Sequence, residues 1–133
     1  MGAKQRPNPA RSSCDDVFEL GGALADVRAC LNADSTGTYH FPGFGGEVSQ
    51  FLVEERDIIG VGVDSHSIDV GPSTTFPAHI TILGAGKIGV EVLAGLDEVL
   101  RQTDAADGLP FVFIGGLKTL HGSGSPVRDL ALV

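Results

Sequence analysis

The chain is poor in the residues that most often announce a function: two cysteines, no tryptophan, one tyrosine and one methionine among 133 residues. Cys14 and Cys30 make neither a C-x-x-C pair nor a disulfide framework, which leaves them as buried or incidental thiols of a reducing compartment. Cations are scarce too, with nine Lys and Arg against seventeen Asp and Glu and a formal net charge of −8. Phosphate backbones and anionic lipid are held by clustered Lys and Arg, and here these are dispersed, so neither nucleic acid nor a membrane surface is an expected partner. No run approaches the roughly eighteen uninterrupted apolar residues of a membrane span, and no secretory pattern is read at the start; a cytoplasmic location is expected.

What remains is a turn-rich globular composition, 42% hydrophobic and 20% charged, with 19 glycines and 7 prolines. The length suits one compact domain that buries about two-thirds of its unfolded surface. Residues 1–22 stand apart: Lys4 to Arg11 is basic, carries Pro7 and Pro9 and has few apolar side chains, which predicts a disordered tail. The folded part is expected over 23–133.

Within it, the spacing of Leu20, Ala23, Leu24, Val27 and Leu31 predicts a helix over Ala23 to Leu31, followed by a turn over Asn32 to Gly37. Tyr39 to Phe44 reads as an aromatic loop, in which His40 is expected to pack or to hydrogen-bond rather than to ligate. Gly46 to Arg56 predicts a helix with Val48, Phe51 and Leu52 toward the core. Asp57 to Asp64 reads as an interior strand whose glycines let a neighbouring backbone or ligand come close. The polar loop that leaves it displays Asp64, His66 and Asp69. Strands follow at Leu109 to Ile114 and Val127 to Val133, with a turn over Gly122 to Pro126, and no internal repeat is present. These elements predict an α/β fold with a mixed β-sheet and helices on one side.

Two readings compete over residues 76–91. Ile80 to Leu83 followed by Gly84, Gly86 and Gly89 matches the dinucleotide fingerprint of a strand, a glycine turn and a helix over Val90 to Leu100. Its context is wrong, because too little chain follows Gly89 for further βα units and no acid ends the strand at Phe111 to Ile114. Asp104 and Asp107, at about the right distance, sit in a polar stretch before that strand. In the other reading Thr75-Phe76-Pro77-Ala78-His79 starts a helix, with Thr near the cap and Pro in the first turn, and the glycines end it. Glu91 then starts a returning strand that brings it beside His79, twelve positions earlier. Imidazole plus carboxylate suits Zn²⁺ or Mn²⁺, although a catalytic zinc usually takes about three protein ligands. A histidine simply hydrogen-bonded to a glutamate is the plainer alternative.

Gly62-Val63-Asp64-Ser65-His66-Ser67-Ile68-Asp69, Gly71-Pro72-Ser73, Phe76-Pro77-Ala78-His79, Gly89 with Glu91, and Gly122 to Arg128, in that order, resemble the C-terminal portion of the cyclase-type metal-dependent hydrolases. That family includes bacterial kynurenine formamidase and isatin hydrolase. Asn32-Ala33-Asp34, Phe41-Pro42-Gly43-Phe44 and Phe51 to Arg56 fit it too, so the resemblance covers about residues 23–133. It implies a mixed β-sheet or barrel-like α/β core with flanking helices, and hydrolysis of a carbon–nitrogen bond in a small amide or lactam. Zn or Mn would polarise the carbonyl and lower the pKa of bound water. By position, His79 corresponds to a ligand histidine and Glu91 to a ligating or bridging carboxylate.

The chain departs from the family in lacking the upstream H-x-G-T-H-x-D-x-P-x-H motif, so it is expected to be N-terminally truncated relative to its relatives and its ligand set to be incomplete. Three expectations follow: a non-catalytic oligomerising remnant, a site completed by another chain, or substitute ligation by His40, His66 or His121. His66 and Asp64, on the loop after the central strand, are the foremost pocket or substitute-ligand candidates. Strands left without their usual neighbours present open edges, which predicts a homo-oligomer.

Overall fold

The computed structural model describes residues 31–106 and 108–133. The basic tail, both cysteines, Asp107 and all but the last residue of the helix expected over 23–31 lie outside the described residues. The described chain falls into two compact units that divide between Ala94 and Gly95.

In the first unit α1 (Gly46–Glu54) forms where the helical spacing places it, but it buries a different face. Ser49 is fully buried while Val48 and Phe51 stay exposed. A Cβ on Gly46 would lie 3.3 Å from Pro77, so α1 runs close against the next helical segment and only small side chains fit at the contact. Ser49 satisfies its hydroxyl by donating to the Gly45 carbonyl oxygen at 2.9 Å. Phe51 instead receives the Arg56 guanidinium, 4.6 Å above its ring.

The strand read over 57–64 contracts to β1 (Gly60–Gly62), which pairs in parallel with β2 (Ile88–Val90), Val61 opposite Gly89. The glycines have the role expected of them. A Cβ on Gly60 would stand 2.5 Å from the Ile88 carbonyl oxygen, and one on Gly62 would stand 2.7 Å from the Leu93 side chain.

A parallel pair needs a crossover, and here it holds the polar loop and a helical segment that begins at Pro77 and ends at Gly84. Its middle, His79–Leu83, is a π-helical turn. Ile80 to Leu83 are therefore helical, not the strand that the dinucleotide reading requires. The order is helix, glycine turn, strand, the reverse of that fingerprint. Ile68, Ala78 and Ile82 form the buried centre, with Phe44, Val53, Val61 and Val63 packed around it. Each buried isoleucine contributes about 2 kcal/mol.

Two loops are fastened over this centre. Phe44 bridges Asp69, its N–H donating to the Ile68 carbonyl oxygen at 2.7 Å, and the Gly71 N–H donates to Phe41 at 3.0 Å. The backbones touch at two glycines. A Cβ on Gly43 would collide with the Asp69 carbonyl group, and one on Gly71 would stand 2.6 Å from the Tyr39 carbonyl oxygen.

The second unit holds α2 (Leu96–Ala106), whose first turn carries Asp97 and Glu98 against the helix dipole. Asp104, expected in a loop, lies on this helix. β3 (Phe111–Gly116) and β4 (Val127–Leu132) pair antiparallel from Phe111 opposite Leu132 to Gly116 opposite Val127, close to the limits read from sequence. The architecture is thus one of small helices and two two-stranded sheets, one parallel and one antiparallel. Among the described residues these do not merge into the single mixed sheet expected, nor into a closed barrel.

Candidate functional site

The first unit gathers three side chains from three places: Asp69 from the loop, His79 from the π-helical turn and Glu91 from the residue after β2. Asp69 is completely buried, whereas His79 and Glu91 each leave 34% of the side chain exposed. The group therefore has a closed inner end and an open outer one.

Asp69 organises the inner end. Its Oδ1 accepts the Ala78 N–H at 2.7 Å, and its Oδ2 accepts the His79 N–H at 3.2 Å. These are orphan donors of the first helical turn, which a helix must satisfy with something other than itself. Thr75, the cap read from sequence, makes no such bond among the described residues. The Ser73 hydroxyl accepts from the Phe76 N–H, and the cap proper comes from Asp69. The same Oδ2 lies 2.6 Å from Nδ1 of the His79 ring. Asp69 is held in turn by its own N–H, which donates to the Ser67 hydroxyl at 3.2 Å.

At the outer end Nε2 of His79 faces Oε1 of Glu91 across 3.4 Å. The same Oε1 accepts the Ile68 N–H at 2.9 Å, which fixes the carboxylate against the loop that carries Asp69. A direct N–H···O bond is about 2.7–3.2 Å long. Two ligands about 2.0–2.1 Å from a tetrahedral cation stand about 3.4 Å apart, so the gap suits two donors of one metal. The donor chemistry also fits, an imidazole nitrogen beside a carboxylate. Among the described residues, however, no three His, Cys, Asp or Glu side chains converge as a metal-holding set, so this pair accounts for only part of one.

The convergence of positions 79 and 91 was expected, and the helix and returning strand produce it. The part played by Asp69 was not singled out above that of Asp64. The fold separates the two, burying Ile68 and Asp69 together in a loop of otherwise polar character. Asp64 makes no hydrogen bond or ion pair among the described residues. His66 is half-buried and sets its ring edge-on to Phe41, with centroids 6.2 Å apart. Phe76, at φ 48°, packs edge-on to His79 at 6.1 Å.

His40 is hydrogen-bonded, its Nε2 lying 2.9 Å from Oδ2 of Asp34. The His40 ring, the Thr36 hydroxyl and the Thr38 N–H together hold the Asp34 carboxyl far below the usual carboxylate range. This cluster closes the turn at 34–38. His121 lies in the second unit, at φ 59° and exposed.

No family model matches the chain. It is 34% identical over 112 residues to isatin hydrolase of Roseibium aggregatum, a match that takes in 81% of this chain and 40% of that protein. Among solved structures it resembles isatin hydrolase A from Labrenzia aggregata, bound there to benzyl benzoate, with a TM-score of 0.69 and 34% identity over 80% of this chain and 40% of that one. It also resembles isatin hydrolase A from Ralstonia solanacearum, with a TM-score of 0.64 and 35% identity over 80% and 39%. The chain spans about 40% of the length of the relatives it matches. The resemblance to the cyclase-type metal-dependent hydrolases is thus borne out by sequence and by fold: the chain is isatin hydrolase-like.

Proposed function

Starting from that kinship, we propose that the chain carries part of the site of a cyclase-family hydrolase that cleaves a carbon–nitrogen bond in a small amide or lactam of the isatin or N-formylkynurenine kind. His79 through Nε2 and Glu91 through its carboxylate would hold a divalent cation, zinc or manganese. The observation that carries this reading is the 3.4 Å approach of these two groups from positions twelve apart, on a fold shared with isatin hydrolases.

A cation bound there supplies Lewis acidity toward a substrate carbonyl. The chain's own residues fix the donors: the Ile68 N–H holds Glu91, and the helix start holds the histidine. His66 and Asp64 are proposed as pocket residues or substitute ligands, on the loop that leaves β1. Because a catalytic zinc takes about three protein ligands, the remaining donors are proposed to come from elsewhere, with a second copy of the chain the first candidate.

The test is metal content after purification and dialysis against dilute Zn²⁺ or Mn²⁺. Wild type should retain metal, and His79→Ala and Glu91→Gln should each lower its affinity by about tenfold or more. Metal at background in all three would reject the ligand assignment. Hydrolysis of isatin or N-formylkynurenine that stops with a chelator would support the activity.

A second reading is a non-catalytic oligomerising form of the same fold. Its support is the apolar surface of β3 and β4, where Phe111, Phe113 and Leu132 are all more than half exposed. Metal-dependent turnover by the purified chain would eliminate it. The cytoplasmic location and the homo-oligomer stand as proposals beside both readings. Among the described residues no helix is long and apolar enough to cross a membrane.

A further inference from the structure

Asp69 makes more contacts than a helix cap requires. Two backbone N–H groups, from Ala78 and His79, already point at its two oxygens, and the His79 ring presents Nδ1 to Oδ2 at 2.6 Å. A carboxylate that receives backbone donors on both oxygens acts as an acceptor. The ring nitrogen facing it is therefore the one that carries hydrogen. In a neutral imidazole that leaves the lone pair on Nε2, the nitrogen facing Glu91 and the open end of the site.

We infer that Asp69 is a positioning residue: it selects the tautomer of His79 with hydrogen on Nδ1, and so holds a bare Nε2 lone pair toward Glu91. The helix start and the ring orientation are set by one buried carboxylate and form together. Glu91 makes the looser contact, its Oε1 standing 3.4 Å from Nε2, beyond the length of a direct N–H···O bond. Two acceptors facing each other across that gap repel unless a proton or a cation lies between them. The inference deepens the metal reading but rests on it only for what fills the gap; the tautomer itself follows from the hydrogen bonds.

The test is nitrogen-15 NMR of histidine-labelled full chain at mildly alkaline pH, without added metal. Wild-type His79 is expected to show a protonated, pyrrole-type Nδ1 and a bare, pyridine-type Nε2. In Asp69→Asn the amide can still accept from Ala78 but turns an N–H toward the ring, and the two nitrogen signals should exchange character. Glu91→Gln should leave the wild-type pattern in place. A wild-type His79 with hydrogen on Nε2, on both nitrogens, or averaged between them as in free histidine, would overturn the inference, and this result needs no variant to fold.

Titration with Zn²⁺ then separates this idea from the functional proposal. A Zn²⁺-induced shift of the Nε2 signal in wild type but not in folded Asp69→Asn supports both. A correct tautomer that Zn²⁺ leaves untouched supports the positioning role and counts against the ligand assignment alone.

Discussion

The two units solve the problem of burial in opposite ways. In residues 31–94 four apolar side chains are buried together with Ser49, Ser65 and Asp69, and each of those polar groups is hydrogen-bonded. In residues 95–133 no described residue is buried, and Phe111, Val112, Phe113, Leu130 and Leu132 are all at least half exposed. The one buried side-chain polar atom without a partner among the described residues, Oδ1 of Asp129, is also in this unit. A lone two-stranded ribbon is marginal in water, and an unpaired buried oxygen costs more still. The first unit is organised around its own polar network; the second displays apolar side chains at its surface.

The sharpest way to break this contrast is Asp69→Ala. It leaves the Ala78 and His79 N–H groups buried without acceptors and should cost about 3–4 kcal/mol in the first unit. Amide exchange should accelerate at Val63, Ile68 and Leu93 while the β3–β4 amides hold; uniform acceleration would show that the units do not behave separately. Ile82→Ala comes next, at about 2–3 kcal/mol, toward the low end for isoleucine because so thin a core can collapse around the loss. Urea titration of the same variant measures it.

The other side of the contrast is sharpened by Phe111→Ser with Phe113→Ser. If the exposed ribbon meets a second copy, these should weaken self-association by about tenfold, roughly 1.4 kcal/mol, with first-unit amides unchanged. Sedimentation checks this, and a wild-type monomer at high concentration would remove the proposed homo-oligomer.

The smallest effect is expected from Asp34→Asn. The folded-state pKa of Asp34 is lowered by His40, Thr36 and Thr38, so its contribution is present above about pH 4 and is lost as the pH falls through the lowered value. The variant should therefore be slightly less stable near neutrality and should lose less than wild type on acidification. An unchanged difference between the two from neutral to strongly acid pH would contradict it.

The sequence made the meeting of His79 and Glu91 legible because it rests on local devices: Pro77 at a helix start, the glycines that end it, and an apolar alternation around Glu91. The β3–β4 ribbon was legible for the same reason. Two features were not, and each is settled by contacts distant in sequence. Spacing placed Val48 and Phe51 inward, yet the residue of α1 that the fold buries is Ser49, with Gly46 close against Pro77. Asp69 resembled Asp64 on paper, because both are aspartates in one polar loop. Only the fold shows that one lies under a helix start and the other does not.

The fastening between the loops at 41–44 and 68–71 has a consequence for how this site can fail. Gly43 and Gly71 let two main chains lie with no space for even a methyl group between them, and one of those chains bears Asp69. An alanine at Gly43 would wedge them apart and drag the carboxylate from beneath its helix. The histidine and glutamate would still be present, correctly spelled and wrongly aimed. Damage to this centre can therefore arise in a residue that has no chemistry of its own.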